Sequence, residues 1–275
     1  MTPESKNDDM KEQPPILRHK DYRAPSIFKP DALLREARRQ KGIPGEPVPE
    51  ICILDPDGDI VRHLLATKRA RRITTWACYH TDLHAFEHEG LQLGIIGCAV
   101  GASFAVLVAE ELFESGCKLL ISMTSAGQIL PVRPPPYFII IDQALRDEGT
   151  SYHYLPPAEY SAADKILVQL AAESLKEAGM QPQVGATWTT DAPFRETANS
   201  IAAAEQAGIL AVEMEAAALY AFADARQKAV LCFAHVTNQM GRIEGDFEKG
   251  IADGAQESLN VISWVARRWR SPVRP

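Results

Sequence analysis

Two glutamates flank a methionine in AVEMEAAALYAF. Glu213, Met214 and Glu215 stand between an apolar run (GILAV) and an alanine-rich stretch of helical character. Carboxylates at such a junction are costly to bury unless something pairs with them. Helix electrostatics is one account, because the macrodipole favours acidic groups in a first helical turn. The other is a ligand, because functional groups in α/β sheets gather beyond the carboxyl ends of the strands.

The segments following the other apolar runs favour a ligand. PDGD follows EICILD, CAVGAS follows LGIIG, TSAGQ follows LLISM, TTDAPFRET follows GATW, and TNQ follows CFAHV. Small, hydroxyl, amide and carboxylate residues dominate these ends, as a pocket for a neutral polyhydroxylated ligand requires. Within TTDAPFRET, Phe194 offers a stacking face and Arg195 a planar donor fork. A surface ion pair of Arg195 with Asp191 or Glu196 is the plainer alternative. In HTDLHAFEH, His80, His84 and His88 are spaced four apart, which suits a metal if the segment is helical. The adjoining EGLQLGIIG instead indicates strand, turn and strand, so no metal site is expected. CAVGAS lacks the full glycine fingerprint of a dinucleotide loop.

The elements that must position these residues alternate between strand and helix. PDALLREARRQKG reads as a helix capped by Asp31 and ended by Gly42, with Leu33, Leu34 and Ala37 as its stripe. EICILD and LQLGIIG read as buried strands, and a helix spans about Ala102 to Ser115. CKLLISM is a strand leading into a loop, TSAGQ; YFIIID is the next strand. A helix from Ser161 to about Ala178 has Ser161 and Asp164 at capping-box spacing. VGATWTT, GILAV and AVLCFAHV are strands, SIAAAEQAG and EMEAAALYAFADA helices. The C-terminal amphipathic helix places Ile251, Ala255, Leu259, Ile262 and Trp269 on one side. Continuously apolar strands imply a sheet covered on both faces. The expected fold is α/β: one three-layer α/β/α domain with a central mixed sheet over residues 16–275, after a disordered tail at 1–15.

Composition narrows the partners. The 275 residues are 46% hydrophobic and 24% charged with a net charge of −7, so neither nucleic acid nor an anionic membrane surface is an expected partner. The long, largely apolar run at residues 93–109 carries three glycines and divides into a strand and a helix start rather than a membrane span. Five cysteines without a C-x-x-C pair fit reduced core residues of a cytoplasmic protein.

AVEMEAAALYAFA, VGATWTTDAPFRET, SMTSAGQI and RDEGTSYHYLPP occur in collinear order, and together the chain resembles the nucleoside phosphorylase family. That family includes uridine phosphorylases, hexameric purine nucleoside phosphorylases and related nucleosidases. The resemblance implies a small-molecule ribonucleoside substrate and a homo-oligomer, dimer or trimer of dimers, whose subunits complete one another's sites. It assigns Glu215 to the ribose hydroxyls and Met214 to the sugar face, with Glu213 either a ribose ligand or a helix-terminal charge. A carboxylate on the 2′-hydroxyl stabilises an oxocarbenium-like sugar. It places Phe194 and Arg195 over the base and Asn238 beside the ring, where an amide hydrogen-bonds the leaving base without being a strong acid. His19 matches a histidine that reaches a neighbour's ribose 5′-hydroxyl, and Tyr152, His153 and Tyr154 are pocket-wall candidates.

The acceptor side departs from the phosphorylase pattern. Pro56 and Ile60 stand where glycine and arginine are expected, and Ser122 where a second arginine would sit. Ser122, Thr124, Ser125 and the backbone near Gly101 remain as acceptor-site candidates. Arg62, Arg72 or Arg133 would have to substitute from shifted positions. No cofactor is implied beyond phosphate as possible co-substrate. Phosphate is the family's acceptor, and water fits the missing arginines at least as well.

Overall fold

The structure, a computed structural model, describes residues 13–240 and 244–271. Most of the expected tail, 1–12, lies outside them, and the described chain opens with a 3-10 turn at Pro15–Leu17.

Ten strands form one sheet: β1 (Ile51–Asp55), β2 (Ala70–Arg72), β3 (His84–His88), β4 (Leu91–Gly97), β5 (Leu119–Gln128), β6 (Tyr137–Asp147), β7 (Tyr160–Ala162), β8 (Gln183–Thr190), β9 (Ala211–Glu213) and β10 (Ala229–Asn238). The α-helices among the described residues are α1 (Pro30–Lys41), α2 (Asp59–Ala66), α3 (Ala102–Glu114), α4 (Lys165–Glu177), α5 (Ala198–Gln206), α6 (Ala216–Arg226) and α7 (Ala255–Arg270). Apolar side chains of α3 and α6 cover one face of the sheet, and those of α2, α4 and α7 the other. The three-layer α/β/α arrangement with a central mixed sheet follows from this double covering.

The sheet does more than lie flat between helices. β5 pairs with β10 in parallel, β10 with β6 antiparallel, β6 with β8 and β8 with β9 in parallel, and β9 returns antiparallel to β5. These five strands close a ring, while β1, β4, β3 and β2 extend from β5 as an open wing. Closure depends on TSAGQ, which is strand and not loop. Thr124 and Ser125 pair with Ala234 and His235 on one side, and Gly127 and Gln128 with Val212 and Ala211 on the other. Small residues allow that crowding: a Cβ at Gly127 would stand 2.4 Å from Met240 Sδ.

Two helix starts also differ from expectation. Ser161 belongs to β7, paired with Ala144, so α4 is capped by Asp164, which accepts from the Ile166 N–H at 2.7 Å. The last helix begins at Ala255 because Ala252, Asp253 and Gly254 take left-handed conformations (φ 52°, 54° and 76°). That kink puts Ile251 outside the apolar stripe, 82% exposed. α6 is fixed to the ring by Tyr220, whose hydroxyl donates to the Ile141 carbonyl at 2.6 Å and accepts from the Cys232 N–H at 3.0 Å.

Candidate active site

The strand-to-helix junction from β9 to α6 gives its two glutamates different work. Glu213 is buried, and its Oε2 accepts from the backbone N–H groups of Glu215 and Ala216, both at 2.7 Å. Oε1 accepts from the hydroxyls of Thr187, at 3.1 Å, and Thr189. These four donors are protein groups that hold the first turn of α6. The acceptor positions of Glu213 are thus filled from within the fold, in keeping with the helix-terminal alternative to a ribose role. Burial raises its pKa.

Glu215 is also buried but carries fewer partners. Its Oε1 accepts from the Gly101 N–H at 2.7 Å and its Oε2 from the Thr124 hydroxyl at 2.8 Å. Each oxygen keeps a lone pair beyond the one so engaged. Burial, and then the charge of Glu213, push its pKa up to about 8. Gly101, with φ 89° ahead of α3, therefore directs its N–H at an internal carboxylate rather than at a free anion position.

Beside this junction a cleft of about 310 Å³ brings together Ser125, Phe194, Met214, Asn238, Met240 and Phe247. Phe194 is fully exposed and Phe247 is 65% exposed, which leaves two aromatic faces free for a planar ligand. Asn238 is on the wall but partly engaged: its Oδ1 accepts from the Met240 N–H at 2.9 Å and its amide donates to Thr237 at 3.2 Å. Part of this amide is thus spent on the turn that follows β10.

Below the cleft, Asp57 lies across the acceptor side. Its Oδ2 accepts from the Ser125 N–H at 2.8 Å and its Oδ1 from the Ser125 hydroxyl at 2.9 Å. Asp55 turns back to accept from the Gly58 and Val61 N–H groups at the start of α2, and burial pushes its pKa up to about 7. Asp59 pairs with Lys249 at 2.5 Å and also with Arg62. A chamber of about 10 Å³ remains between Asp57, Asp59, Ser125, His235 and Ser258.

His235 stacks on Phe138 with ring centroids 4.6 Å apart, and burial, with Lys249 nearby, pushes its pKa down to about 4. Gly254 makes the fit possible, since a Cβ there would stand 2.2 Å from His235 Cε1 and 2.6 Å from the Lys249 carbonyl. With a positive φ as well, Gly254→Ala is expected to destabilise the fold by about 2–3 kcal/mol, read as a lowered thermal midpoint.

A profile of the phosphorylase superfamily matches residues 50–267, most of the chain. The chain belongs to that superfamily. Among its relatives, the uridine phosphorylase of Thermococcus kodakarensis is 28% identical over 79% of this chain and 88% of its own length. A DeoD-type purine nucleoside phosphorylase of Shewanella denitrificans is 29% identical over 63% of this chain and 72% of its own. The Campylobacter jejuni 5′-methylthioadenosine/S-adenosyl homocysteine nucleosidase shares the fold, with a TM-score of 0.67 at 20% identity over 80% of this chain and all of that one.

Against the phosphorylase superfamily pattern, several expected site residues lie elsewhere. Arg195 is exposed and does not line the cleft, because the 3-10 turn Pro193–Arg195 directs Phe194 and Glu196 to it instead. Ser122 is buried mid-strand beside Leu54 and Cys232, two residues short of Thr124, with its hydroxyl unpartnered. His19 is exposed, and the adjacent Lys20 bonds His153 at 2.6 Å. Tyr152 lies under Arg146 and Tyr154 bonds Glu110, so neither walls this cleft. Arg62 is held by Asp59, Arg72 by Asp82, and Arg133 lies over the Tyr137 ring, so none reaches the acceptor chamber. His84 and His88 are in β3, where His88 bonds Arg69 at 2.7 Å, and His80 precedes the strand against Phe104. Among the described residues no group of histidine, cysteine or carboxylate side chains is placed to hold a metal.

Asp57, His235, Lys249 and Phe247 were not singled out from the sequence. The one available signal was the run Asp55, Asp57, Asp59 after the first strand, where the phosphorylase superfamily pattern expects glycine and arginine.

Proposed function

We propose that this chain cleaves the N-glycosidic bond of a ribonucleoside with water as acceptor. Asp57 carries the reading: its carboxylate already occupies both donors of Ser125, and a phosphate dianion would have to displace that negative charge to reach them. Glu215 holds the ribose hydroxyls and stabilises positive charge developing on the sugar, with Met214 against its face. Phe194 and Phe247 enclose the base and Asn238 hydrogen-bonds its edge. Loss of one stacking face is expected to raise KM about 10-fold in Phe194→Ala, with a smaller change in kcat.

The deciding experiment follows base release from uridine, inosine, adenosine and guanosine by chromatography, with phosphate added or rigorously removed. Equal release in both buffers, with free ribose as product, supports hydrolysis. Release that needs phosphate and yields ribose 1-phosphate overturns it in favour of phosphorolysis. The protein works in this reading as a cytoplasmic homo-oligomer, dimer or trimer of dimers, without metal or organic cofactor. Exposed Val100, just before α3, and Leu107, within it, support an assembly that light scattering would detect. No helix among the described residues is long and apolar enough to cross a membrane.

A further inference from the structure

His235 has no counterpart in the residues the resemblance assigns, yet it occupies a distinctive place. It is 5% exposed, it lines the chamber beneath Ser125, and its Nε2 is buried without a hydrogen-bond partner. A buried nitrogen left unpaired costs on the order of 1–3 kcal/mol, so such groups in folded proteins ordinarily have a use or a water. The chamber, at about 10 Å³, is at the lower limit for one water and is lined by several polar residues: Asp57, Ser125 and His235. Four heavy atoms around a phosphorus do not fit there.

The chamber also adjoins the chemistry. Ser125 belongs both to its wall and to the floor of the nucleoside cleft. Thr124, another wall residue, donates to Glu215. A water lodged against His235 would therefore lie beside Ser125 and Thr124, which respectively border the cleft and hold Glu215. The imidazole is kept in register with Ser125 by strand pairing, stacked on Phe138 and backed by Gly254.

We propose that this chamber holds the nucleophilic water and that His235 Nε2 accepts its hydrogen, making His235 a catalytic residue. The inference rests on the hydrolytic reading above. The water oxygen forms the new bond to C1′ as the C1′–N bond breaks and its electron pair leaves with the base. One water hydrogen passes to Nε2, the departing nitrogen takes a proton from solvent, and the imidazolium returns its own proton to solvent. Burial keeps the imidazole neutral, and thus able to accept, at pH 7. Because water adding to an oxocarbenium-like carbon becomes strongly acidic, a weakly basic imidazole suffices.

His235→Phe keeps the stack on Phe138 and removes the nitrogen. With whichever nucleoside the parent cleaves, kcat is expected to fall about 100-fold with KM unchanged within about threefold. His235→Ala widens the chamber, and with methanol present it is expected to form methyl riboside in a larger proportion to ribose than the parent does. A folded His235→Phe protein with parental kcat would overturn the proposal, as would equal losses in kcat and nucleoside affinity. Should neither variant fold, a high-resolution crystal structure of the parent decides: an ordered water on Nε2 is expected, and a dry chamber overturns the assignment. Phosphate-dependent cleavage by the parent would instead sink the hydrolytic reading itself, which the variants leave untouched.

Discussion

Replacing Glu215 by glutamine is expected to lower kcat/KM for base release by about 100- to 1,000-fold, the scale seen when one preorganised electrostatic contact to a transition state is lost. The same change is expected to raise the melting temperature in alkaline buffer. The neutral amide keeps the shape of the side chain, with its oxygen accepting from the Gly101 N–H and its nitrogen facing the Thr124 hydroxyl. It loses the negative charge proposed to meet the ribose. On the stability side, the folded pKa of about 8 lies above the unfolded carboxylate value, so the folded state binds the proton more tightly. The parent's advantage from this group is fully present below the unfolded pKa and is lost as pH rises towards 8, at up to ~1.4 kcal/mol per pH unit. Glutamine mimics the protonated acid and escapes that loss. Melting curves of the two proteins should therefore nearly coincide near pH 4 and diverge towards pH 9. In the parent, kcat/KM should climb with pH to a plateau above about 8, as the free enzyme's Glu215 ionises. A parent profile flat between pH 6 and 9, or a glutamine variant that keeps full turnover, would remove Glu215 from the mechanism.

Asp57→Ala is expected to make the enzyme sensitive to phosphate. Removing the carboxylate frees the N–H and hydroxyl of Ser125 and removes one negative charge from a site where Lys249 remains close by. Anion affinity should then rise by at least about 10-fold, since one uncompensated charge in a partly buried site is worth more than 1.4 kcal/mol. Initial rates measured against phosphate concentration would show it, either as inhibition or as ribose 1-phosphate among the products. A variant as indifferent to phosphate as its parent would mean that Asp57 does not decide the acceptor.

Both predictions turn on pairs that the sequence exposes unequally. The junction carrying Glu213 and Glu215 was legible, because an apolar run, an E-M-E step and an alanine-rich helix are local features. How the hydrogen-bond donors are divided between the two glutamates was not. That division depends on Thr187 and Thr189 in β8, brought beside Glu213 by parallel pairing of β8 with β9. Most strands and helices were legible from periodicity. TSAGQ was not, because small polar residues signal a loop unless two neighbouring strands claim their backbone. Asp57 and Ser125 are 68 residues apart, and Lys249 and Asp59 are 190 apart. No spacing rule connects such positions. Arg195 shows the reverse case, a suitable residue type in a suitable segment that a single 3-10 turn points away from the cleft.

Closure of the five-strand ring also bears on how the protein is made. β5 leaves the ribosome long before β10, yet β10 supplies its longest partner strand and carries His235, while α7 supplies Ser258. Until those late segments arrive, the edges of β5 and β6 that β10 covers stay open, although β1 and β8 already pair elsewhere on them. A product truncated before residue 229 would have an unpaired β5 edge open to another copy, and it would be expected to aggregate rather than to retain reduced activity.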